Sequence, residues 1–220
     1  VTTSNKAWNK LHDGYKEQDW INKPNIFAKE VVKYFPEKAR ILELGAGQGQ
    51  DTRFFAENCF FVESTDISQE ALKINKDKLT NDLREYVNIS SFDMTKKFPC
   101  QDGEFDVVYA HLSIHYFDVV TTNEIIDEIY RVLKPGGIVA VLNNSVNDPQ
   151  YKQGEEIEED YFIIKDKKKR FLSVDSTRSF FRRFDIVLLD NFGETHKDSA
   201  KGVHNLIRFV GQKANYSSKN

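Results

Sequence analysis

Three carboxylates, Glu43, Asp66 and Asp93, each fall at or just beyond the end of a short apolar run, and the stretch Gly45-Ala46-Gly47-Gln48-Gly49 follows the first of these runs. Glycines at alternate positions let the backbone approach a ligand closely and adopt conformations that a Cβ would obstruct. A helix is expected to begin near Gln50 or Asp51, so its free N-terminal amides face the same spot and favour a negative group such as a carboxylate. Asp66 stands where a carboxylate can accept hydrogen bonds from both hydroxyls of a ribose. Asp93, in Ser91-Phe92-Asp93-Met94, comes within reach of an adenine amine if the third run lies beside the second. Glu43 can bind an ammonium or orient the amides of the loop. Each acid alone has a plainer role, Asp66 as a helix cap ahead of Ser68 and Asp93 as the start of a turn. Together they point to a nucleoside cofactor. A nicotinamide fingerprint would place its third glycine at Gln50, so the loop argues against a dehydrogenase.

The elements that must position these residues alternate. Candidate strands are Ala39 to Leu44, Phe60 to Thr65, Val87 to Ser90, Phe105 to Ala110, Ile138 to Asn143, Asp185 to Asp190 and Asn205 to Val210, seven in all. Between them lie helical segments near Asn25 to Tyr34, Gln50 to Glu57, Gln69 to Leu83, Glu124 to Leu133 and Ser176 to Phe181. This is the pattern of an α/β chain with parallel strands joined by helical crossovers. Lys134-Pro135-Gly136-Gly137 is read as the turn that ends the helix carrying Arg131. Residues 148–175 change character and read as an exposed excursion inserted before the last two strands, with Lys167-Lys168-Lys169-Arg170 as a solvated turn in preference to a phosphate-binding patch.

The 220 residues, 40% of them apolar, suit one substantial core, so a single domain spanning 1–220 is expected, with 1–36 as an N-terminal helical segment over the site. The formal charge of −3 lacks the basic excess typical of a duplex-DNA binder, which counts against a nucleic-acid partner without excluding one. Cys59 and Cys100 follow neither a C-x-x-C nor a zinc-ligand pattern, and no metal site is expected. No apolar run is long enough to span a membrane and residues 1–10 are polar, so the expectation is a cytoplasmic chain; it begins at Val1 rather than Met.

Glu43-Leu44-Gly45-Ala46-Gly47-Gln48-Gly49, Asp66-Ile67-Ser68, Phe92-Asp93-Met94, Phe105-Asp106-Val107-Val108-Tyr109-Ala110 and Arg131-Val132-Leu133-Lys134-Pro135-Gly136-Gly137 occur in this order. In their order and spacing they resemble the class I methyltransferase family, from Phe27 to Lys213. The resemblance implies a Rossmann-like, doubly wound sheet of seven strands in the order 3-2-1-4-5-7-6, the last strand antiparallel. It also implies S-adenosyl-L-methionine as cofactor. Gly45, Ala46, Gly47 and Gly49 would then hold its methionyl part, Asp66 its ribose, and Ile67, Asp93 and Met94 its adenine; Glu43, Asp51, Ala110 and His111 complete the expected cofactor contacts.

The sulfonium cofactor carries its own activation, so the protein must mainly align a nucleophile behind the methyl carbon. A small-molecule acceptor is expected beyond the fourth strand, where Ala110-His111-Leu112-Ser113 lacks the acidic or Asn residue, two prolines and aromatic of exocyclic amino methylases. Pro99-Cys100 precedes that strand, which misplaces it for cytosine methylation. His115 and Tyr116 can orient the acceptor or take its proton, or else pack the following helix. Trp8, Tyr15 and Trp20 can form a lid over the cofactor, or more plainly the apolar face of an amphipathic packing helix. Gly193 to Gly202, with Ile207-Arg208-Phe209, is similar to the same region of tellurite-resistance methyltransferases; this implies a substrate-side place for His196, with Lys197 and His204 where that group has arginines. An RNA or protein methyltransferase and a non-catalytic cofactor-binding module are the competing expectations.

Overall fold

Strand β1 (Arg40–Leu44) buries Ile41, Leu42, Glu43 and Leu44 on both of its faces, as a central parallel strand must. In the computed structural model, which describes residues 8–9, 12, 14–15, 19–195 and 205–215, the other elements follow in a regular alternation. They are α1 (Ile26–Val31), α2 (Gln50–Glu57), β2 (Phe61–Thr65), α3 (Gln69–Lys78), β3 (Val87–Ser90), β4 (Phe105–His111), α4 (Val119–Val132) and β5 (Leu133–Asn143). Then come β6 (Glu155–Glu158), β7 (Tyr161–Ile164), β8 (Lys167–Arg170), α5 (Val174–Phe180), β9 (Phe184–Gly193) and β10 (Leu206–Lys213).

Seven strands form one sheet in the order β3-β2-β1-β4-β5-β10-β9. With β6 to β8 set aside this is 3-2-1-4-5-7-6, and β10 runs antiparallel to both of its neighbours. Alternate residues separate the two faces. Leu42, Leu44, Val108, Ala110, Val139 and Val141 pack with Ile125 and Ile129 of α4 and with Phe181. Ile41, Val107, Tyr109, Ile138, Ala140 and Leu142 pack on the other face with Phe27 and Val31 of α1 and Phe55 of α2. Leu44 pairs with Thr65, and Thr65 with Ser90, so the carboxyl ends of β1, β2 and β3 are level. Helix starts are set locally: Ser68 caps α3, accepting from the Ala71 amide, and Asp118 caps α4, accepting from the Thr121 amide.

Three sequence expectations change. Helix α4 begins at Val119, a turn and more before Glu124, because Asp118 supplies the cap. Lys134-Pro135-Gly136-Gly137 lies inside β5 as an irregularity: β4 pairs Phe105 with Leu133 and then Val107 with Ile138. The excursion is a three-stranded antiparallel sheet, β6-β7-β8. Its basic run is strand β8, not a solvated turn. Arg170 is buried there; its backbone amide donates to the His115 carbonyl at 2.7 Å, and its guanidinium donates to Phe117 O at 3.1 Å and pairs with Glu158. Those bonds fix the small sheet onto the loop between β4 and α4.

Candidate active site

A cavity of about 740 Å³ opens where β1, β2 and β4 end. Its volume falls within the range of small-molecule sites, roughly 300–1,000 Å³. On one side lies the glycine loop. Gly45, Gly47 and Gly49 all adopt positive φ. Gly45 abuts Ser113, whose hydroxyl donates to the Leu44 carbonyl at 2.7 Å, and a Cβ on Gly47 would stand 3.0 Å from His12 Cε1. Gly49 is different: its Cβ would fall 1.8 Å from Asn75 Oδ1, so packing against α3 rather than a ligand demands glycine there.

The acids are held by specific donors. Asp66 Oδ2 accepts from the Gly47 amide at 2.9 Å and Oδ1 from the Ser68 amide at 2.8 Å, so one carboxylate shapes both the glycine loop and the start of α3. Each oxygen has a further lone pair for a ligand hydroxyl. Asp93 Oδ1 accepts from the Thr95 amide and hydroxyl, and among the described residues its other oxygen makes no hydrogen bond. Glu43 is buried and accepts from the Thr52 hydroxyl at 2.5 Å. Burial, then the neighbouring Asp51, raises its pKa well above the usual carboxylate range. Asp51 accepts from the Asn25 amide at 2.7 Å, the Asn25 side chain at 2.8 Å and the Tyr109 hydroxyl at 2.8 Å. It therefore ties the segment before α1 to the core.

Of the residues expected to contact a cofactor, Glu43, Gly45, Ala46, Gly47, Asp51, Asp66, Ile67, Asp93, Met94 and His111 line this cavity. Gly49 and Ala110 do not line it: Gly49 faces Asn75, and Ala110 is enclosed in the core between β4 and α4. Tyr116 lines the cavity, its ring edge-on to Trp8 at 4.8 Å. Burial, then Tyr15, raises the Tyr116 pKa, so its hydroxyl stays protonated. His115 sits behind the wall, its ring tilted against Tyr116 with centroids 4.1 Å apart, and its buried Nδ1 makes no hydrogen bond among the described residues. Burial, then Lys169 and His111, lowers its pKa to about 3, so the ring is neutral and turned to packing. His196, with Lys197 and His204, lies outside the described residues, and so does the Trp20 side chain.

Ser113, in the stretch where the acceptor is expected, also lines the cavity, whereas the other wall residues His12, Thr121, Tyr161, Lys168 and Thr195 were given no place in the site by the sequence reading. The His12 carbonyl accepts from Gln48 Nε2 at 2.7 Å and the Asn9 side chain from the Ser68 hydroxyl at 2.6 Å, so the leading segment is fastened over the glycine loop. Tyr161 of β7 donates to the Tyr116 carbonyl at 2.8 Å; burial, then Asp118, pushes its hydroxyl up to about 12. Only the excursion's return to the site brings Tyr161 and Lys168 there. Among the described residues, no group of three or more His, Cys, Asp or Glu could hold a metal ion, and no helix is long and apolar enough to cross a membrane.

Residues 42–141 match a family model described as a methyltransferase domain. The chain is 34% identical over 107 residues to an uncharacterized methyltransferase of Synechocystis sp., the match taking 47% of this chain and 46% of that protein. It is 33% identical over 107 residues to a demethylmenaquinone methyltransferase of Clavibacter sepedonicus, the match taking 48% of this chain and 41% of that protein. The chain thus spans under half the length of these relatives. Among solved structures, a SAM-dependent methyltransferase from Methanosarcina mazei shares the fold with a TM-score of 0.72 at 18% identity, over 84% of this chain and 97% of that one.

Proposed function

From the match of residues 42–141 to a methyltransferase-domain model, we propose that the chain is a class I S-adenosylmethionine-dependent methyltransferase that transfers a methyl group from S-adenosyl-L-methionine to a small-molecule acceptor. One observation carries this reading. A single cavity is lined both by the positive-φ glycine loop with Asp66 and Asp93 and by the aromatic side chains of Trp8, Tyr116 and Tyr161.

The glycine loop with the two acids fits the cofactor. Backbone at Gly45 and Gly47 presents no Cβ to the methionyl group, Asp66 receives the ribose hydroxyls, and the open oxygen of Asp93 receives the adenine amine. Buried Glu43 and Asp51, which already accepts three hydrogen bonds, hold the floor and the N-terminal segment in place rather than meeting the ligand as free anions. When bound, the cofactor supplies an electrophilic methyl with a neutral thioether as leaving group. The chain's residues then have two tasks, to exclude water and to align the acceptor. Such alignment contributes on the order of 7 to 11 kcal/mol, so no general base is required for an acceptor that arrives nucleophilic. Tyr116 stays protonated and donates to the acceptor. His196 follows Thr195 of the cavity wall directly, which supports a substrate-side role for it. The two cysteines are free thiols, which favours a reducing, cytoplasmic setting.

The test is calorimetric titration with S-adenosylmethionine, followed by a screen of thiols, amines, phenols and oxyanions for formation of S-adenosylhomocysteine. Binding with turnover of at least one acceptor is expected. A folded protein that does not bind the cofactor overturns the reading, and binding with no turnover across the screen favours a cofactor-binding module instead.

A further inference from the structure

The cavity wall carries an unbalanced set of side chains. Trp8, Tyr15, Tyr116, Phe117 and Tyr161 all line the cavity, and among the described residues Lys168 is the one Lys or Arg on its wall. The Trp8 and Tyr116 rings meet edge-on at 4.8 Å, and Tyr161 is fastened to the Tyr116 backbone through its hydroxyl.

Lys168 reaches the wall because β8 is a strand. Tyr161 pairs with Arg170 and Ile163 with Lys168 across the antiparallel ladder, so Tyr161, Arg170 and Lys168 share one face of the small sheet. Arg170 is spent on that face: it holds Glu158 and the Phe117 and Glu159 carbonyls and lies over the Tyr161 ring. Its buried bonds anchor the strand, which fixes where Lys168 stands two residues earlier. Lys169, pointing the other way, donates to Gln150 at 2.6 Å. Lys168 itself makes no hydrogen bond or ion pair among the described residues. Among the described residues none of the wall carboxylates pairs with Lys168: Asp66 accepts from backbone amides, Asp51 from Asn25 and Tyr109, Glu43 from Thr52, Asp118 from the Thr121 amide, and Asp93 through one oxygen from Thr95.

A lysine lining a partly closed cavity without a carboxylate partner loses hydration that an anionic group replaces most strongly. Flat aromatic walls favour a flat ligand, because offset and edge-on ring contacts add to area burial. We infer that the methyl acceptor is a planar aromatic or conjugated molecule bearing an anionic group, its ring held among Trp8, Tyr116 and Tyr161 and its anion paired with Lys168, which makes Lys168 a specificity-determining residue. This rests on the methyltransferase reading and names the class of acceptor for that same site.

The experiment uses the full chain loaded with S-adenosylhomocysteine and a matched pair of probes, 3-hydroxy-2-naphthoate and its neutral amide, 3-hydroxy-2-naphthamide. Binding of each is measured by calorimetry. The acid should bind at least ten-fold more tightly than the amide to the wild type. Lys168→Gln should abolish that preference while leaving affinity for the amide and for S-adenosylhomocysteine unchanged, and Lys168→Arg should retain most of it. Equal binding of the two probes, binding of neither, or a preference that survives Lys168→Gln overturns the inference alone. S-adenosylhomocysteine is titrated first by itself, and a wild type that fails to bind it overturns the methyltransferase reading and this one with it.

Discussion

The backbone amide of Gly47 donates to Asp66 Oδ2 at 2.9 Å, so the acid that ends one strand shapes the loop that follows its neighbour. The pairing of Leu44 with Thr65 brings the two strand ends level and makes this bond possible. Asp66 thus has a structural part besides the ribose contact proposed for it.

Asp66→Ala removes both. Affinity for S-adenosylmethionine should fall by on the order of 1.5 to 3 kcal/mol, the usual loss for hydrogen bonds to a charged group. Thermal stability should fall as well, since the Gly47 and Ser68 amides lose their acceptor. Calorimetry and a melting curve read the two effects separately, and unchanged affinity in a folded variant removes Asp66 from the site.

The glycines should divide by what they face. Gly47→Val places a side chain at φ +55 against His12, at the mouth of the cavity. It should abolish measurable cofactor binding while costing about 1–2 kcal/mol of stability. Gly49→Ala instead drives a methyl into Asn75, whose amide donates to Ser64 at 2.9 Å within a buried network reaching Thr52. Its main effect should be on folding, about 2–4 kcal/mol by urea denaturation. A reversed outcome would show that the loop has been misassigned.

Asp51 holds Asn25 and Tyr109 at once, and Asp51→Ala leaves the buried Tyr109 hydroxyl without its acceptor. We expect a loss of about 3 kcal/mol or more, together with faster proteolysis of the chain before Asn25. An unchanged denaturation midpoint with unchanged cleavage would remove Asp51 as the tether.

His115 is held neutral with its pKa lowered to about 3, against about 6.5 when unfolded. Between these values the unfolded chain binds the extra proton, so this contribution is present in full above pH 6.5 and is lost progressively as pH falls toward 3. Urea denaturation of the wild type should therefore show stability falling below pH 6.5 more steeply than in His115→Phe. Turnover by His115→Phe, once an acceptor is known, should stay within a few-fold of the wild type. Parallel pH profiles would mean that the ring is hydrated rather than buried.

The sheet was legible because parallel strands buried on both faces leave near-continuous apolar runs, as in Ile41-Leu42 and Val107-Val108, and their order follows from the alternation with helices. The place of the glycine loop and of the acids Asp66, Asp93 and Glu43 at the cavity was legible for a related reason. In this architecture a ligand must lie at the carboxyl ends of the strands, so a residue's place in the chain gives its place in the site. Gly49 and His115 show where that logic stops. Both belong to the correct motif, yet which way a residue faces within a loop depends on its neighbours in space, Asn75 for one and the Arg170 segment for the other. The acceptor side was hidden further. Lys167 to Arg170 carries no apolar residue, so nothing in the run itself distinguishes a solvated turn from a strand. Only the fold of the excursion back onto the loop after β4 turns Arg170 into a buried anchor and Lys168 into a wall of the cavity, because strand pairing and side-chain burial there are set by contacts with residues some fifty positions away in the chain, such as Phe117.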